Sequence, residues 1–107
     1  LADANAMTLR AFDHCETPAR VINLAGHEIL KVREVCERLG ELLGRSPILT
    51  GEEAGSAYLN DGSGGYPLLG KPEVGADEMI RMTADWVRRG GESLGKPTKF
   101  LVHDGKF

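Results

Sequence analysis

Cysteine is scarce in this chain of 107 residues, with two in total, Cys15 and Cys36, and no Cys-x-x-Cys spacing. A disulfide scaffold and a paired-cysteine zinc module are both excluded by that count, and reduced thiols are the simplest reading. Aromatic residues make up 6% of the chain, with a single tryptophan, Trp86. Charge of one sign is also lacking: 13 Lys and Arg stand against 16 Asp and Glu, a formal net charge of −3. Such a balance leaves no electrostatic footprint for nucleic acid or for an anionic membrane surface. No apolar run approaches the roughly 20 residues that span a bilayer, and no charged stretch followed by an apolar one opens the chain. The expectation is a cytoplasmic protein with neither nucleic acid nor membrane among its partners.

What is present is ordinary globular material, 41% hydrophobic and 27% charged, at a length that supports one domain over 1–107. The first residue, Leu1 rather than Met, suggests a cleavage product or a fragment of a longer protein, a C-terminal one if the resemblance described below holds. Asp3 to about His14 reads as a helix with Asp3 as its cap and Ala4, Ala6 and Ala11 allowing close packing. Thr17-Pro18 ends it. Val21-Ile22-Asn23-Leu24-Ala25, closed by Gly26, has the composition of a short buried strand. Val32, Val35, Cys36, Leu39, Leu42 and Leu43 recur at helical spacing with charges between them, which predicts a helix over 32–43 stopped by Gly44. Pro47 to Thr50 is a second candidate strand, and 51–65 reads as a loop, five of its residues being Gly. Leu68-Leu69 suggests one turn of helix. A last helix is predicted from about Ala76 to Arg89, burying Met79, Ile80, Thr83, Trp86 and Val87, with Asp77 and Glu78 at its positive end and Arg88 and Arg89 at its negative end. Thr98 to His103 is a third candidate strand. The fold class expected is therefore α/β, about three main helices and a few short strands.

Motifs with chemistry are few. Gly65 to Lys71 and Gly90 to Lys96 approach a phosphate-cradling loop, but each is followed by proline where that loop needs a hydroxyl, so ordinary turns are the better reading. His14, Cys15, His27, Cys36 and His103 lack the paired spacing of metal ligands. Glu52 and Glu53 are neighbours, and on an extended loop would point apart rather than converge as acid and base.

The order of segments carries more. Asp3-Ala4-Asn5-Ala6 opening a helix, Val21 to Gly26, Val32-Arg33-Glu34-Val35 through Gly44, Asn60-Asp61-Gly62-Ser63, Leu68-Leu69-Gly70, Pro72, Val74 and the stretch from Asp77 to Trp86 together resemble the C-terminal, substrate-binding lobe of the extended short-chain dehydrogenases/reductases, the NAD(P)-dependent epimerases and dehydratases. The likeness covers about residues 3–89. It implies a small-molecule substrate and an NAD(P) cofactor for the full-length protein, with no cofactor held by this chain. The family's cofactor glycines and its Tyr-x-x-x-Lys pair are absent: Tyr58 and Tyr66 are followed four residues later by Gly62 and Gly70. The resemblance thus implies a lobe without catalytic residues of its own. Its substrate contacts are expected on the loop from Thr50 to Asn60, at Glu52, Glu53, Tyr58 and Asn60, where two carboxylates disfavour a diphosphate. Lys31 stands where a Ser or Thr helix cap is usual. The alternative reading is a stand-alone interaction module that docks a partner or forms a homodimer through apolar surface that the lobe leaves uncovered.

Overall fold

A computed structural model of the chain describes residues 1–96. Helix α1, Ala2–Ala11, is alanine-rich and continues into a single 3-10 turn, Phe12–His14, as the high helix propensity of alanine favours. Helix α2 is Val32–Leu43, closed by Gly44 in the left-handed conformation at φ 66°. Ser63–Gly65 forms a 3-10 turn leading into the one-turn helix α3, Tyr66–Leu69. Helix α4 is Ala76–Arg88. Two helix pairs organise the chain, α2 against α4 and α1 against α3.

In the α1/α3 pair, Leu69 is completely buried and Met7 is 3% exposed. The last carbonyls of so short a helix need donors, and α1 supplies them. Arg10 Nη1 donates to the Leu69 carbonyl at 2.8 Å, and His14 Nε2 lies 3.3 Å from that of Leu68. The Asp3 carboxylate does not cap α1, whose N-cap Leu1 makes no side-chain bond. Asp3 Oδ2 instead accepts the Glu73 and Val74 amides at 3.2 and 3.0 Å. Glu28 acts similarly, its Oε1 accepting the Ala76 amide at 2.7 Å. This gives α4 a cap from 48 residues away, since its own N-cap, Gly75, has no side chain to offer.

The α2/α4 pair buries Ala76 and Ala84, with Ile80 half-buried between them. That i, i+4, i+8 stripe of α4 differs from the predicted inward face. Met79, Trp86 and Val87 are each about half exposed. Small alanines let the two backbones approach, and α2 covers only that edge of a broader apolar face. Arg38 joins the helices by donating through Nε to Asp77 Oδ1 at 3.0 Å, and Arg88 Nη2 donates to the Leu42 carbonyl at 2.6 Å.

The α/β expectation is overturned, because every regular element among the described residues is helical. Val21–Ala25 and Pro47–Thr50 form no strand, and Val21 and Ile48, at 90% and 89% exposure, are not buried. A strand exists only through its ladder, and these segments have no neighbouring strand. Val21–Ala25 is held instead by side chains: Asn23 Nδ2 donates to the Asp61 carbonyl, Asn60 Nδ2 to that of Leu24 and the Tyr66 hydroxyl to that of Ala25, all at 3.3 Å. The strand expected at Thr98 to His103 lies outside the described residues.

Candidate functional site

Where residues 22–25 meet the 62–65 turn, two backbones touch. A Cβ on Gly62 would lie 2.8 Å from the Ala25 nitrogen, and one on Gly65 would lie 3.0 Å from the Asn23 carbonyl oxygen. Glycine at both places permits the approach, and the three side-chain bonds above lock it. Beside this contact lies a hollow of about 530 Å³ between the 25–30 segment and the 58–63 loop, with Tyr66 also in its lining, a volume within the range of small-molecule sites.

Tyr58 and Asn60, both expected from the sequence, line this hollow. Tyr58 presents its ring at 90% exposure, while the Asn60 amide is engaged with the Leu24 carbonyl. Glu52 and Glu53 are not among its lining residues. Glu53 turns to α2, where Arg33 Nε and Nη2 both reach its Oε1, at 2.8 and 2.7 Å. The hydrogen bond to this carboxylate holds the Arg33 guanidinium above its ordinary pKa. Glu52 is an exposed loop residue. The four expected residues therefore separate into two that share a hollow, one that tethers the loop to α2, and one at the surface.

Sequence reasoning missed the opposite wall, Ala25 to Leu30. The available signal was Asn23 inside a β-branched run, an amide that a ladder does not need and a chain-to-chain tether does. That wall also faces the other way. Together with α1 and residues 72–79 it encloses a second hollow of about 420 Å³, into which Met7, Leu24, Val74 and Met79 contribute apolar surface. On the first hollow's rim, Asp61 Oδ1 accepts the Ser63 amide at 2.8 Å, and this bond holds the carboxyl below its ordinary pKa. His27 Nε2 lies 3.9 Å from Glu28 Oε1.

Among the described residues, no three His, Cys, Asp or Glu side chains gather as metal ligands would. Cys15 Sγ lies 3.7 Å from the Ala11 carbonyl, and Cys36 is half-buried on α2. Neither glycine-lysine stretch has phosphate-loop geometry, since Gly70 terminates α3 and Gly90 follows the end of α4, whereas a phosphate loop opens a helix. No helix among the described residues is long and apolar enough to cross a membrane. Compared with protein-family models, with curated proteins and with solved structures, the chain matches none.

Proposed function

We propose that this chain is the substrate-binding segment of an NAD(P)-dependent epimerase- or dehydratase-like protein, devoid of the cofactor-binding and catalytic motifs and inactive by itself. The observation that carries the reading is the hollow between residues 25–30 and 58–63. It brings Tyr58 and Asn60 of the candidate loop against the 22–26 segment, so that two of the motifs behind the resemblance form the walls of one site. Uncovered surface supports it further. Large apolar side chains stand in solvent, Val21 at 90% and Ile48 at 89% exposure. On this reading the nicotinamide cofactor, its glycine loop and the tyrosine-lysine pair belong to another lobe, and that lobe covers the segments 21–25 and 47–50. The test is the mass of the native product, detected in source cells with an antibody against this chain. A band several-fold heavier than 11.6 kDa is expected, and a band at that mass overturns the reading.

A second reading, a self-associating interaction module, draws on the uncovered edge of α4, where Met82, Trp86 and Val87 are 56%, 57% and 54% exposed. Light scattering over a concentration series separates the two. Growth in size with concentration supports association, and a constant monomer mass removes it.

A further inference from the structure

Residues 23–33 and 53–62 pass each other in opposite directions, and the ties between them differ at the two ends. At one end the Asn23 amide donates to the Asp61 carbonyl and the Asn60 amide to that of Leu24. The Tyr66 hydroxyl closes on the Ala25 carbonyl beside them, and Gly62 and Gly65 let the backbones touch. Neutral bonds are insensitive to salt, and backbones in contact cannot slide without breaking all three. At the other end the tie is electrostatic, with Arg33 Nε and Nη2 on Glu53 Oε1 at 2.8 and 2.7 Å. Both side chains are largely in solvent, at 52% and 76% exposure, so this tie is weak and is screened by salt. Among the described residues it is the one ion pair made by residues 45–62. Between the two ends no backbone hydrogen bond crosses among the described residues. The hollow lies in that gap, with Ile29 and Leu30 on one side and Tyr58 and Leu59 on the other.

We infer that the hollow is a clamp: residues 53–59 swing outward when Glu53 leaves Arg33, pivoting on the contact at 60–62, and a small molecule enters and leaves through the opened side. Glu53, which does not line the hollow, then acts on it as the latch, and Arg33 is the catch. The inference rests on taking this hollow as the substrate site and adds how access to that site is controlled.

Native-state proteolysis reads this opening without a ligand, because a protease needs the segment drawn out and its rate then follows the open population. Chymotrypsin cuts after Tyr58, on the swinging side, and after Leu69, in the buried α1/α3 core, and mass spectrometry of the fragments gives both rates. Arg33→Gln and Glu53→Gln are each expected to raise cleavage after Tyr58 about two- to fivefold at low salt. The double variant is expected to go no further than either single one, since both remove the same pair. Salt at about 0.5 M is expected to bring the wild type to the rate of Arg33→Gln in the same buffer. Cleavage after Leu69 is expected to stay constant throughout. An unchanged rate after Tyr58 in both single variants overturns the latch, and so do effects that multiply in the double variant. A rise after Leu69 in step with that after Tyr58 overturns the pivot, the chain then opening as a whole. The native-mass measurement judges the lobe reading separately, since the clamp is tested in the chain alone.

Discussion

Gly62 and Gly64 lie two residues apart, yet alanine at each is expected to move stability in opposite directions. At Gly62 the backbone φ of −90° suits any residue, so the obstacle is space alone. A methyl there would lie 2.8 Å from the Ala25 nitrogen and 3.1 Å from both its carbonyl oxygen and its Cβ. Those are mostly backbone atoms, tied by the Tyr66 and Asn60 bonds, and cannot swing aside as a side-chain tip would. Forced overpacking of this kind costs about 1–3 kcal/mol. At Gly64 a methyl meets nothing within 4 Å, and alanine there stabilises by about 0.4–1 kcal/mol by narrowing the unfolded ensemble. The two variants should differ by about 1.5–4 kcal/mol, or about 1–2.7 M in urea midpoint for a slope of about 1.5 kcal/mol per molar. Urea titration followed by helical circular dichroism measures this directly. If Gly62→Ala unfolds at or above the wild-type midpoint, the close contact between the two walls of the hollow is not as described.

Leu69, the one large side chain wholly buried among the described residues, should lose about 2–5 kcal/mol on truncation to alanine, while Leu94→Ala, at 88% exposure, should stay within about 0.5 kcal/mol of wild type; equal midpoints would count against the α1/α3 core. Hydrogen bonding from Arg38 holds the Asp77 carboxyl below its ordinary value of 3.8. The stabilisation from this pair is then complete above the ordinary value and disappears as pH falls through the depressed one, so Asp77→Asn should flatten the acid limb of a stability-against-pH curve. At Gly91, an added Cβ would overlap the Trp86 ring. Gly91→Ala should therefore displace the indole from its 3.1 Å hydrogen bond to the Glu92 carbonyl and shift tryptophan fluorescence, with an unchanged spectrum as the contrary result.

Helices α2 and α4 were legible because their signals are local: an apolar period of three to four, acidic residues in the first turn of α4, and Gly44 as a left-handed stop. Lys31 was also readable as an N-cap that makes no capping bond, and its ammonium instead meets Glu34 at 2.8 Å. What failed depends on distant partners. A β-branched run such as Val21–Ala25 carries the composition of a strand, but only a neighbouring strand makes it one. The apolar period of α4 identifies the surface that favours burial, not which part of it α2 covers, so Trp86 was expected inside. Asp3 has the chemistry of a cap, and nothing near it in sequence reveals that its acceptors serve amides about 70 residues on. The candidate loop divided for the same reason. Tyr58 and Asn60 line a hollow with residues 25–30, and Glu53 is drawn away by Arg33, 20 residues earlier.

The grip of Asp3 on the Val74 amide, together with that of Arg10 on Leu69, has a bearing on biosynthesis. Helix α1 is synthesised well before the residues that hold it. At about 5–20 residues per second, the interval between residue 3 and residue 74 is roughly 4–14 seconds, during which α1 has neither the Leu69 side chain to cover Met7 nor the Val74 amide to receive its carboxylate. Helices α2 and α4 can associate without it, but the start of α4 remains untethered by Glu28 until that pairing across 48 residues has closed. Through that interval α1 keeps its apolar face, Met7 included, open to a chaperone.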